Sequence, residues 1–292
     1  MLSFSTMKHA YLILAHNEFE LLQILVSRLD DFRNDIYVHI DCKVKVLPAI
    51  YVEKSKLYIL EKRLDVRWGD VSQIQAEYVL FETAFANGPY QYYHLLSGVD
   101  LPLKSQDYIH QFFDQNSGKE FVGYTTSILP SQIIRKVQRW HLFPKQFRNK
   151  SLAIRIPRAV YLGFQEILGI KRNKDVIFKK GSNWVSITDA LVKYVIEHKE
   201  WTLKVFSNTF CGDEFFIQTL CWNSSYRNNI YNEIDDGLGC MRAIGWRDGL
   251  LKDWGPEDFD SLKFSSALFA RKFNSTDMQF INNVLKLSSN AS

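Results

Sequence analysis

The chain has four cysteines in 292 residues, and Cys42, Cys211, Cys221 and Cys240 form no Cys-x-x-Cys pair. That scarcity argues against a disulfide framework and against a cysteine-based zinc site, and it fits a reducing compartment. Long apolar runs are missing too. No stretch approaches the roughly 20 residues of a membrane-spanning helix, and AYLILA at 10–15 is too short for the apolar core of a secretory leader. Both absences predict a cytoplasmic protein. Met7 begins a natural opening, MKHAYLILAHNE, so residues 1–6 read as a start-site extension. No glycine-rich loop follows the first apolar segment, where the turn is His16-Asn17-Glu18. This excludes both a GxGxxG dinucleotide site and a Walker loop. No Asp-x-Asp triplet stands at a predicted strand end, so the usual metal clamp on a nucleotide diphosphate has no obvious ligands. Any bound nucleotide must have its phosphates neutralised by other means.

Apolar and aromatic residues are plentiful. Hydrophobic content is 46% against 23% charged residues, the balance of a globular chain with a sizeable core. The net charge of +4 conceals an asymmetry. Residues 131–180 hold 13 Lys and Arg against Glu166 and Asp175, a balance of +11 that leaves −7 for the remainder. Such a window concentrates anionic partners: nucleic acid, anionic lipid or a phosphorylated glycan carrier. Along the first third, strand signals at 10–15, 35–41, 57–60 and 92–97 alternate with helical periodicity at 18–29 and 72–86, the second helix opening at a Ser72 cap. That order predicts an α/β fold with a parallel, doubly wound sheet. Ligands then bind beyond the carboxyl ends of the strands, near His39 to Asp41 and Ser97 to Asp100. A further strand at 184–187 feeds a helix from about Thr188, and one domain over 7–285 with a basic insert at about 131–180 is the simplest description.

FCGDEFFIQTL at 210–220 places Asp213 and Glu214 inside an apolar run. Desolvation there favours the neutral carboxyl and raises its proton affinity, which is how a general base is made. The alternative is that Gly212 and Asp213 open a helix, with Asp213 as its cap or first-turn charge. Adjacent carboxylates on a helix diverge, so they do not make the facing pair of a glycoside hydrolase.

Taken in order, AYLILAHN, YVHID, RWGDVSQIQAE, YYHLLSGVDLPLKS, GSNWVSITDALVKYVI, FCGDEFFIQTL, MRAIGW and LFARKF resemble the core-2/I-branching β-1,6-N-acetylglucosaminyltransferase family, which is related to the peptide O-xylosyltransferases. The resemblance implies a GT-A-type glycosyltransferase fold, with a Rossmann-like, mostly parallel central sheet flanked by helices. It implies inverting, metal-independent transfer of a sugar, N-acetylglucosamine first and xylose or another sugar as alternatives, from a UDP-sugar to a glycan hydroxyl. Carried over by motif, the catalytic base falls on Glu214, the diphosphate-neutralising cations on Arg242 and Lys272, and a nucleotide-facing acid on Asp41. Arg271 competes with Lys272. Acceptor contacts fall more weakly on Arg139, Trp140 and Trp184. Arg and Lys are chemically reasonable substitutes for a metal beside a leaving diphosphate. Neither a resident cofactor nor a metal is expected.

Animal members carry a membrane anchor and paired cysteines, which are absent here, so the chain looks like the bacterial branch, whose members are expected to build surface polysaccharides. Within the basic insert, SLAIRIPRAVYLGFQEILGI is amphipathic. It predicts either peripheral docking on the anionic inner face of the plasma membrane, where a lipid-linked acceptor would be met, or a solvated acceptor groove. A non-catalytic protein binding acidic glycan or nucleic acid is the competing class. No recognisable nucleic-acid motif accompanies the charge.

Overall fold

The computed structural model describes residues 7–247 and 250–289. In chain order its strands are β1 (His9–Ala15), β2 (Asn34–Ile40), β3 (Lys56–Ile59), β4 (Tyr92–Ser97), β5 (Leu101–Pro102), β6 (Ser186–Thr188), β7 (Arg242–Ile244), β8 (Trp246–Arg247), β9 (Leu250–Leu251) and β10 (Phe269–Arg271). The helices of eight residues or more are α1 (Phe19–Leu29), α2 (Ser72–Asn87), α3 (Gln106–Gln115), α4 (Pro130–Val137), α5 (Leu152–Ile167), α6 (Asp189–Glu197), α7 (Lys199–Phe206) and, at the C-terminal end, α11 (Met278–Ser289). Between them lie α8 (Phe216–Trp222), α9 (Asp236–Cys240) and α10 (Phe259–Lys263).

The central sheet has the order β3-β2-β1-β4-β6, and its first four strands are parallel. Central position explains the composition of β1 and β2. Both are covered on two faces, so they read as nearly continuous apolar runs rather than as alternation. Along β1, Tyr11, Ile13 and Ala15 enter one core with α1 and α11, while Ala10 and Leu12 enter the opposite core with α2 and α6. Helix α1 buries Leu21, Leu22, Leu25, Val26 and Leu29, a single stripe at helical spacing. This is the expected α/β, GT-A-type architecture, with a parallel-dominated sheet flanked by helices. One strand departs from it: β6 runs antiparallel to β4, because it enters the sheet from the basic window and pairs Ser186 with His94 on one side and with Phe121 on the other. A smaller sheet, β5-β10-β7, stands beside the carboxyl end of β4 and carries the MRAIGW and LFARKF motifs.

Ser72 does not cap α2. Its hydroxyl accepts from the Arg67 amide at 2.9 Å, while Asp70 Oδ2 accepts from the Ser72 amide and Gln73 Oε1 from the Gly69 amide. The RWGD segment is therefore a loop folded by its own side chains, and Gly69, at φ +77°, supplies its left-handed turn. Thr188 does cap α6, its hydroxyl accepting from the Leu191 amide at 3.2 Å.

Gly181 has no room for a side chain. A Cβ on Gly181 would lie 1.8 Å from the Gly123 carbonyl oxygen, whereas a Cβ on Gly163 of α5 would meet nothing within 4 Å. Gly181→Ala is expected to cost at least about 2 kcal/mol, read as the denaturant midpoint, because backbone must move to admit the methyl. Gly163→Ala should be neutral or stabilise by up to about 1 kcal/mol. Equal effects from the two would contradict the packing described.

Candidate functional site

Residues 180–186 run from the acidic pair to the smaller sheet, held along the way by partners from several elements. Gly181 donates its amide to the Glu214 carbonyl at 3.0 Å. The Ser182 amide donates to Asp236 Oδ1 at 2.8 Å, and Asn183 Nδ2 donates to Glu77 Oε1 at 2.9 Å. Trp184 lies under the Arg271 guanidinium at 3.9 Å from the ring centre. Val185 donates no side-chain bond but its carbonyl, with the Ser186 hydroxyl, accepts from Arg242. One end of the segment thus touches the acidic pair and the other the smaller sheet.

The acidic pair sits on a tight turn, Gly212–Glu214, rather than on a regular helix; α8 starts only at Phe216. Preceding it, Cys211 adopts a left-handed conformation (φ 52°) and its amide donates to the Gly69 carbonyl at 2.9 Å, clamping the turn onto the RWGD loop. Asp213 is not a helix cap. It is buried, and its Oδ2 accepts from Gln73 Nε2 at 3.1 Å. The desolvation expected in this apolar run is found there: burial, then the neighbouring Glu214 charge, pushes the Asp213 carboxyl up to about 7. Glu77, buried one helical turn along α2 from Gln73, is pushed well above the usual carboxylate range by burial and by Asp213.

Glu214 points the other way. Its Oε2 lies 3.2 Å from Lys180 Nζ and 3.6 Å from Lys136 Nζ, shielded from solvent and with no hydrogen-bond partner. Both lysines line a cavity of about 550 Å³. Arg135 and Arg158 add positive charge to its wall, Trp68, Phe147 and Phe210 add flat apolar surface, and no acid is among its lining residues. The aromatics pack on one another and under cations: Trp68 meets Phe210 edge-on at 5.3 Å with Arg148 5.1 Å above it, and Arg158 lies 5.1 Å over Phe147. Trp68 is 45% exposed.

The remaining sequence-predicted residues are placed less uniformly. Asp41 stands at the carboxyl end of β2, buried, with Lys43 Nζ 2.5 Å from its Oδ2 and with the Lys43 and Val66 amides donating to it. It ties two loops at the end of the sheet. Arg242 differs from the solvent-facing cation that a diphosphate site needs. It is 2% exposed, donating to the Cys240 and Val185 carbonyls and the Ser186 hydroxyl and stacking over Phe269 at 4.5 Å. These acceptors offset the cost of burying the charge; burial still lowers its basicity to about 10. Lys272 is the accessible member, 2.8 Å from Asp253. Because Arg271 pairs with Ile244 at the end of β10, Lys272 lies just past the ladder that begins at Arg242. Between them Arg271 is buried, with Nε and one terminal nitrogen unbonded and Asp100 at 3.6 Å. Arg139 bonds Glu166 at 2.5 Å, and Trp140 is held by Gln165 and lies 5.0 Å from Arg172. Neither lines the cavity. Lys136, Lys180 and Glu77 are the site's unforeseen members; Lys180 abuts GSNW and Glu77 ends RWGDVSQIQAE, so a legible motif pointed to both.

The buried Asp213 generates a pH prediction. Its folded value lies above its ordinary 3.8, so the folded state holds the proton more tightly than the unfolded chain. The stability this contributes is complete below about pH 4 and is lost as pH rises toward 7. Asp213→Asn keeps an oxygen for Gln73 and removes the titration. Measured against wild type, its melting temperature should gain at least about 2 °C between pH 4 and pH 8. A constant difference across that range would contradict the assignment.

A family model described as Core-2/I-Branching enzyme matches residues 9–272. The chain is also similar to Xylosyltransferase oxt of Drosophila melanogaster, 25% identical over 263 residues that make up 81% of this chain and 28% of that relative. It thus spans little more than a quarter of the length of the curated relative it matches. Together with the fold and the motif order, the match over residues 9–272 shows that the chain belongs to the core-2/I-branching enzyme family.

Proposed function

We propose that the protein is an inverting glycosyltransferase in which Glu214 is the general base, transferring a sugar from a UDP-sugar to the hydroxyl of a glycan. The observation that carries this reading is the placement of Glu214. Its carboxylate shares two ammonium partners with the wall of a cavity of about 550 Å³ that is lined by four cations and three large aromatic rings. Aromatic faces suit sugar rings, and four cations without a lining acid suit an acceptor that carries phosphate or carboxylate groups.

In the proposed reaction the acceptor oxygen bonds to the anomeric carbon as its proton passes to Glu214. On the opposite side the bond from that carbon to the diphosphate oxygen breaks, and the electron pair leaves with UDP. One base suffices for a single displacement with inversion. Negative charge then grows on the diphosphate, and the reading assigns its neutralisation to Lys272, which is half-buried and paired with Asp253. Arg242 acts from behind, holding Val185 and Ser186, and through them the segment that fixes Glu214. Asp41 is assigned to the nucleotide side, at the carboxyl end of β2 where open α/β sheets bind ligands. The reading takes UDP-N-acetylglucosamine as the donor and no divalent metal.

Slow hydrolysis of UDP-sugars by the purified protein needs no acceptor and tests this directly. UDP-N-acetylglucosamine should turn over faster than UDP-xylose and UDP-glucose. Glu214→Gln should lower transfer by about 10²- to 10⁴-fold while donor binding persists. Wild-type turnover should survive EDTA. Abolition by the chelator would overturn the metal-free reading, and an unaffected Gln variant would remove Glu214 from the mechanism.

A further inference from the structure

Helix α5 has two apolar faces, and the fold uses only one. Leu162 and Gln165 are buried, and Leu162 and Arg158 line the cavity beside the Glu214 lysines. On the other side Leu152, Ile156, Val160, Phe164 and Ile167 are between 55% and 85% exposed. At 100° per residue these five fall within an arc of about 120°. An uncovered apolar stripe of this length is not the pattern of an ordinary solvated helix.

The charge around the stripe selects the partner. Lys145, Arg148, Lys150, Arg155 and Lys171 are all exposed and flank it in sequence. Of the two acids in the window, Glu166 is held by Arg139 at 2.5 Å and Arg135 at 3.8 Å, which leaves Asp175 as the acid with no ion pair among the described residues. A second copy of this face would set one +11 window against another, which opposes self-association. Nucleic acid would satisfy the cations and leave the apolar stripe in water. A bilayer with anionic headgroups satisfies both, the stripe entering the interface and the cations meeting the lipid phosphates.

We infer that the outer face of α5 is a membrane-docking surface that seats the protein peripherally on anionic lipid. The helix lies in the plane of the interface. No described helix is long and apolar enough to cross a membrane, so the contact is superficial. Because Arg158 and Leu162 line the cavity from the same helix, bilayer and site are separated by one helix diameter, about 10 Å.

Co-sedimentation with phosphatidylcholine vesicles, with and without phosphatidylglycerol, tests the docking without donor or acceptor, so its outcome is independent of the transferase reading. Wild type should bind the anionic vesicles and not the neutral ones, with binding weakened by salt. Ile156→Asp/Phe164→Asp should reduce binding at least about tenfold with an unchanged melting temperature, since both side chains are already in water. Equal binding to both vesicle types, or undiminished binding by the double variant, overturns the inference. So does a wild-type dimer in light scattering that the double variant converts to monomer.

Discussion

The site depends on how residues 180–186 are seated. Gly181 passes the Gly123 carbonyl with no space for a methyl, and from that fixed point the segment reaches Glu214, Asp236, Glu77, Arg271 and Arg242 in turn. A strand at the edge of a sheet would ordinarily be positioned by its ladder alone. Here β6 has only three residues, and side-chain anchors do the positioning. Any displacement of this segment moves Lys180 and the carbonyl contact to Glu214 together. The catalytic geometry proposed above is therefore a consequence of backbone packing before it is one of charge.

Buried charge is the second constraint. Arg242, Arg271 and Asp100 occupy the space between the two sheets, and His94 joins them through Ser186, whose hydroxyl it meets at 2.8 Å. His94 in turn contacts His9 at 3.0 Å. Burial drives both imidazoles well below their usual range, so they remain neutral and add no charge to a region that already holds two guanidinium groups. Such a network is costly to dismantle in part, because each removed partner strands a desolvated group. On the acidic side, Asp213 and Glu77 are both shifted toward neutrality, which spares that region a second negative centre beside Glu214.

The main strands could be read from sequence because their burial is two-sided and local: seven consecutive covered residues in β1 or β2 leave a signature that needs no knowledge of partners. The helix beginning near Thr188 was legible too, at the point where an apolar run gives way to helical spacing. Asp213 was not, since the Gln73 amide that binds it comes from a point 140 residues away, and its own neighbours offered a helix start just as plausibly. Arg242 shows the reverse failure. A charge in a short apolar strand signals a cost that something must offset, but sequence alone cannot distinguish a ligand from the carbonyls of residues 185 and 240. Glu214 was found through motif order, while its lysine partners, in α4 and before GSNW, were visible only as members of a basic window.

That window reconciles two readings that composition left as alternatives. A basic amphipathic segment was expected either to dock on a membrane or to form a solvated acceptor groove. The structure divides the residues of α5 between both: Arg158 turns inward to Phe147 and the cavity, while Arg155 stays outside with the exposed stripe. A helix that is apolar on two sides can be stable only if each side finds a cover, and the protein core supplies one. If the other cover is lipid, the charge of the window is not surplus to the site's needs. On the two readings proposed, the inward cations face the acceptor and the outward ones the lipid surface.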